Sequence, residues 1–123
     1  MARYVIIPVL ILIVASFSSC YKPHGEVVLG NHEYRRGDFQ QAMVHYLSVY
    51  EDPQYKEWIS YNLGNVFYML GEYSSALEEW EHSSSSGSDT LLFHLHFNKG
   101  VLFYKRGEYG KASSSFREAL MLM

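Results

Sequence analysis

A glycine followed at once by an acidic residue and an aromatic one occurs three times, and this constrains the fold more than any other feature. The runs are Arg36-Gly37-Asp38-Phe39, Leu70-Gly71-Glu72-Tyr73 and Arg106-Gly107-Glu108-Tyr109. Gly37 and Gly71 lie 34 residues apart, Gly71 and Gly107 36. Three more columns keep step: Gly30, Gly64 and Gly100; Ala42, Ala76 and Ala112; and the aromatics Tyr46, Trp80 and Phe116. Self-similarity at such a period means stacked copies of one supersecondary unit, no copy of which buries its apolar face alone.

Each column has a physical reason. Gly37, Gly71 and Gly107 end a first helix in the left-handed conformation that glycine adopts without steric cost. The acid after each one starts a second helix, where negative charge suits the helix dipole. Gly30, Gly64 and Gly100 fall inside the first helix. A mid-helix glycine costs about 1 kcal/mol relative to alanine, so its repetition points to close contact there. The alanines permit the same approach from the second helix, and the aromatic four residues later shares their face and fills space between neighbouring units. The pattern predicts helices at about 24–36, 39–51, 55–70, 73–84, 89–106 and 109–122. The run from His82 to Asp89 holds the two extra residues of the longer spacing and reads as a polar loop, with Ser88 or Asp89 capping the next helix.

These columns resemble the tetratricopeptide repeat, a helix–turn–helix unit of 34 residues. The fullest copy is Tyr61-Asn62-Leu63-Gly64-Asn65-Val66-Phe67-Tyr68, followed by Gly71, Tyr73, Ala76 and Trp80. The resemblance covers about residues 23–123. It implies an all-α fold of three tandem helix-turn-helix repeats forming a short right-handed solenoid. Departures are local. Glu26, Ser60 and His96 stand where the family has an early tryptophan, Lys99 replaces the leucine kept at Leu29 and Leu63, and the late proline is missing.

In this family the first helices line a concave groove that holds a peptide. By register its rows are Tyr34, Tyr68 and Tyr104; Asn31, Asn65 and Val101; Val27, Tyr61 and Phe97; Arg35, Met69 and Lys105; and His24, Trp58 and His94. The expected partner-binding residues are therefore Asn31, Tyr34, Arg35, Trp58, Tyr61, Asn62, Asn65, Tyr68, His94, Tyr104 and Lys105. Tyrosines supply apolar area with a hydroxyl, and asparagines pair with extended backbone. The Tyr34 row serves equally well as packing between repeats. Some members grip a C-terminal carboxylate. Asn31 and Asn62 match that pattern, but Val27, His94 and Asn98 stand at its cationic positions. Arg35 and Lys105 remain to attract an acidic partner.

The first twenty residues differ in kind. Arg3 is the only charge before Lys22, and YVIIPVLILIVASF fills positions 4–17. This stretch is shorter than the roughly 20 residues that span a bilayer. Basic start, short apolar run and small residues together match a secretory signal, with an uncleaved anchor as the alternative. The chain's single cysteine, Cys20, follows directly. Phe17-Ser18-Ser19-Cys20 resembles a bacterial lipobox, which implies a signal peptide over 1–19, a lipidated N-terminus and linker over 20–22, and the repeat domain over 23–123. A free thiol beside an ordinary cleavage site is the other reading. Lipidation implies the periplasmic side of the cell envelope, and Tyr21, in place of a retaining Asp, leans toward the outer membrane. Loss of Arg3 moves the formal charge from −3 to −4.

The remaining chemistry is sparse. Positive charge forms no stretch that would follow a phosphate backbone, which excludes nucleic acid. Six histidines occur, yet His94 and His96 point to different sides of a helix and no paired Cys/His spacing exists. Arg36-Gly37-Asp38 coincides with the repeat turn. No phosphate loop or nucleophile elbow is present, so the expectation is no enzyme, no metal and no cofactor. The expected role is a lipid-anchored protein-binding adaptor or scaffold. The alternatives are a self-assembling structural subunit, with homo-oligomers formed through the apolar C-terminal helix, and an accessory subunit of a solute-uptake system.

Overall fold

A computed structural model describes residues 23–123. Among the described residues there are six helices and no strand. They are α1 (23–36), α2 (Phe39–Leu47), α3 (Lys56–Met69), α4 (Tyr73–His82), α5 (Asp89–Lys105) and α6 (Tyr109–Leu120). The chain is thus all-helical over this span, with helix boundaries close to those expected from the sequence. The largest difference is at α2, which stops at Leu47 instead of 51. Val49 and Tyr50 donate to Tyr46 and Leu47, three residues back, so the last turn tightens. Pro53 then disfavours helical backbone at Asp52.

The three glycine turns are copies of one another. Gly37, Gly71 and Gly107 have φ of 82°, 80° and 75°. Each glycine N–H donates to the carbonyl three residues back (Tyr34, Tyr68, Tyr104), and the next N–H donates to the carbonyl five residues back (Glu33, Phe67, Phe103), all at 2.9–3.1 Å. This is the Schellman arrangement, which satisfies carbonyls that a helix end leaves unpaired. The acid that completes it is also the N-cap of the following helix. Asp38, Glu72 and Glu108 share φ near −85° and ψ of 76°, 66° and 63°. Only the short Asp38 side chain bonds back, accepting from the Gln41 N–H at 3.1 Å. Glu108 instead lies 2.7 Å from Arg106 and 2.6 Å from Lys111. The Lys111 hydrogen bond, followed by both positive charges, holds its carboxyl below the usual range.

Within each helix pair the aromatic of the second helix lies on the glycine of the first. A Cβ added to Gly30 would stand 2.5 Å from the Tyr46 ring, and one on Gly100 2.6 Å from the Phe116 ring. On Gly64 it would enter the Trp80 indole more deeply still. The mid-helix glycines are therefore seats for aromatic rings. In the first two pairs the aromatics Tyr46 and Trp80 and the alanines Ala42 and Ala76 also reach the next pair. One core cluster joins Ala42, Tyr46 and Val49 of α2 to Ile59, Leu63 and Val66 of α3. The other joins Ala76 and Trp80 of α4 to Leu95 and Leu102 of α5.

The column where the family has tryptophan stays polar. Glu26 meets His45 of α2 at 2.7 Å, and His96 meets Glu118 of α6 at 2.8 Å. Two helix pairs thus carry a carboxylate–imidazole contact in opposite senses. Ser60, at the middle position, is fully buried and its hydroxyl has no hydrogen-bond partner among the described residues.

Candidate functional site

The face formed by α1, α3 and α5 carries two adjoining clefts. One, of about 250 Å³, is lined by Tyr34, Tyr61, Asn65, Tyr68, Met69 and Val101, with Trp80 and Asn98 at its floor. The other, of about 230 Å³, is lined by Asn31, Tyr34, Arg35, Tyr46, Asn62 and Asn65. Tyr34 and Asn65 belong to both, which makes the clefts contiguous.

Their shape depends on an amide network that repeats with the helices. The Trp80 Nε1–H can only donate, and it points at Asn65 Oδ1 (3.1 Å) and the Tyr61 carbonyl (3.3 Å). Asn65 therefore presents its oxygen inward. That oxygen also accepts from Asn98 Nδ2 at 2.9 Å, and Asn98 reaches the Tyr61 hydroxyl at 3.0 Å. One unit earlier the pattern is the same: Tyr46 donates to Asn31 Oδ1 at 2.7 Å, and Asn62 Nδ2 approaches that oxygen at 3.4 Å. Each asparagine thus ties the aromatic of its own helix pair to an asparagine of the next. In the third pair both partners change together. Val101 replaces the acceptor and Phe116 the donor, so no buried polar atom is left over.

Burial pushes the Tyr46 hydroxyl up to about 12, with Tyr34 adding to the effect and the Arg35 charge opposing it. The hydroxyl therefore stays protonated and remains a donor to Asn31. Burial likewise raises Tyr34, with Tyr61 and Tyr68 contributing. Lys105 lies 5.2 Å over the Tyr68 ring, and its ammonium is held above the ordinary lysine value first by a hydrogen bond with Tyr68.

Most of the residues expected from the register fall on this face. Asn31, Tyr34, Arg35, Tyr61, Asn62, Asn65 and Tyr68 line the clefts, and Lys105 stands over one wall. Trp58 and His94 flank Tyr61, at ring distances of 6.3 and 6.4 Å. Tyr104 lies elsewhere. It stacks edge-on with Tyr109 at 5.5 Å and lines a separate apolar cleft with Phe116 and Leu120. The Tyr34 row proves to be part packing: Tyr34 sits against Phe39 at 5.5 Å and Tyr68 against Tyr73 at 5.7 Å, both half-buried. Trp80 and Tyr46 were not expected at the site, and Asn98 was expected only as the residue at a clamp's cationic position. Trp80 belongs to α4, and its contacts with Tyr61, Asn65 and Tyr68 bring it to this face.

Cys20 and the apolar leader lie outside the described residues. Among the described residues no helix is long and apolar enough to cross a membrane, and no group of three or more His, Cys, Asp or Glu is placed to hold a metal ion. Compared with known protein families and with curated proteins, the chain matches none.

Proposed function

We propose that the chain is a three-unit solenoid of the tetratricopeptide type, held at a bacterial envelope membrane by a lipid on Cys20. It acts as an adaptor whose α1–α3–α5 face takes an extended segment of another envelope protein. The observation that carries this reading is the pair of contiguous clefts walled by tyrosines and asparagines. Among the described residues the Nδ2 groups of Asn31 and Asn65 have no hydrogen-bond partner of their own. An extended backbone offers carbonyls to such donors, while the tyrosine rings supply apolar area that loses little entropy on binding. Arg35 and Lys105 flank the clefts and favour an acidic segment. The role in this reading is binding and not catalysis.

The test is a photo-crosslinking residue at Met69 in the full chain, produced in a bacterial host. One envelope protein should be captured, and Arg35→Glu with Tyr68→Ala should remove the adduct. An adduct that survives both substitutions, or none at all, overturns the groove. In the same host Cys20→Ala should abolish lipid labelling and release the chain from membranes. Persistent labelling of that variant overturns the anchor.

A further inference from the structure

The internal junctions share one construction, and the outer surfaces of the first and last described helix pairs carry the halves of one more. At the first junction Ala42 and Tyr46 meet Ile59, Leu63 and Val66 of α3, while Asn31 is tied to Asn62. At the second, Ala76 and Trp80 meet Leu95 and Leu102 of α5, while Asn65 is tied to Asn98. Carried one unit forward, the register puts Ala112, Phe116 and Val101 in the places of Ala76, Trp80 and Asn65. In the first two units the corresponding surface is covered. Here Ala112 is buried and Phe116 and Val101 are partly exposed, but Tyr104, Tyr109 and Leu120 around them are 64%, 65% and 67% exposed, lining an apolar cleft of about 500 Å³. The counterparts of the two tyrosines, Tyr34, Tyr68, Phe39 and Tyr73, are half-buried; Leu120 stands in the place of Tyr50, also half-buried, and of Ser84, which is exposed.

Carried one unit back, the register puts Gly25, Val28, Leu29 and His32 of α1 in the places of Ile59, Asn62, Leu63 and Val66. Val28 and Leu29 are 49% and 46% exposed. The asparagine tie is missing on both surfaces at once. On the α5–α6 side Val101 and Phe116 remove acceptor and donor, and on the α1 side Val28 replaces Asn62 and Asn98. An asparagine on one side only would be buried without a partner, at a cost of about 1–3 kcal/mol. Valine against valine avoids that cost and leaves apolar surface on both sides.

We propose that a second copy of this chain docks head to tail, its α1 seated on the α5–α6 surface as α3 is seated on α2. Such a contact is heterologous, so copies add in series and form a ring or an open filament. The junction is weaker than the internal ones, because Gly25 and His32 offer less apolar area than Ile59 and Val66. Assembly is therefore reversible and set by concentration. This inference uses the repeat register and not the cleft partner, so the two fail separately.

The test uses the full chain with p-benzoylphenylalanine at Leu29, illuminated in the producing cells, with linked residues mapped by mass spectrometry. A homodimer that joins position 29 to residues 112–120 of the other copy is expected. Leu120→Glu should lower its yield about tenfold, in keeping with the loss of one buried leucine. Leu120 is exposed, so helix content should not change in that variant. An adduct joining α1 to α1, capture of a different protein, no adduct, or a yield unmoved by Leu120→Glu each overturns the proposal.

Discussion

Gly64→Ala is the substitution whose effect runs most directly against ordinary helix energetics. In a mid-helix position alanine is normally better than glycine by about 0.8–1.0 kcal/mol. At Gly64 the new methyl group would fall inside the contact distance of the Trp80 indole. The indole cannot retreat, since Trp80 is 1% exposed and packs against Tyr68 on one side. Displacing it strains a filled core, typically at about 1–3 kcal/mol. It also pulls Nε1 from Asn65 and the Tyr61 carbonyl, a further loss of about 1 kcal/mol. Set against the propensity gain, the net destabilisation is about 1–3 kcal/mol. For a chain of this size the melting temperature should fall by roughly 4–8 °C per kcal/mol. The assay is urea and thermal unfolding followed by far-ultraviolet circular dichroism. A double-mutant cycle with Trp80→Leu isolates the contact, because alanine should cost much less once the indole is gone. Unchanged or increased stability of Gly64→Ala, or strict additivity in the cycle, would refute the reasoning. Gly100→Ala should be milder, since Phe116 is partly exposed and can yield.

Gly71→Ala tests backbone alone, because no atom lies within 4 Å of the added Cβ while φ is +80°; it should cost about 1–2 kcal/mol by urea unfolding. Asn65→Leu should cost about 1–3 kcal/mol, and should redden Trp80 or broaden its indole N–H resonance, because the Trp80 donor and Asn98 lose their shared acceptor. An alkaline titration should reveal Tyr46: its proton leaves near pH 10 when unfolded and near pH 12 when folded. Stability is then full below pH 10 and falls between pH 10 and about 12, and Tyr46→Phe should flatten that window.

Much of this architecture could be read from the sequence because its signals are local. A left-handed helix end demands glycine, so Gly37, Gly71 and Gly107 declare the turns by identity alone. The mid-helix glycines declare a close approach, though not which side chain fills it. The amide network was hidden. Asn98 and Asn65 are 33 residues apart, and nothing in either residue's neighbourhood marks them as partners. What could have exposed the link is the joint change to Val101 and Phe116, since donor and acceptor disappear together. The Tyr104 position also misled. Its register matches Tyr34 and Tyr68, but a residue's surroundings depend on the unit that follows, and column position carries no record of that. The end of α2 was missed for a similar reason: Val49 and Tyr50 favour continuation by pattern, while the turn toward Pro53 is set by backbone geometry.

The serine run between α4 and α5 has a consequence of its own. By composition, residues 83–88 look like a spacer that a protease would open. Ser83 is instead wholly buried, with its hydroxyl on the Glu57 carbonyl at 2.8 Å, and Ser86 is nearly so. Ser86 accepts from the Ser88 N–H, and Ser88 in turn accepts from the Leu91 N–H, which begins α5. Each hydroxyl fixes the next step of the backbone, so the segment behaves as a rigid hinge pin and not as a tether. The two extra residues of the longer period do not lengthen this segment; they appear in α5, which has 17 residues against 14 in α3. Fusions or epitope tags placed there would disrupt the joint.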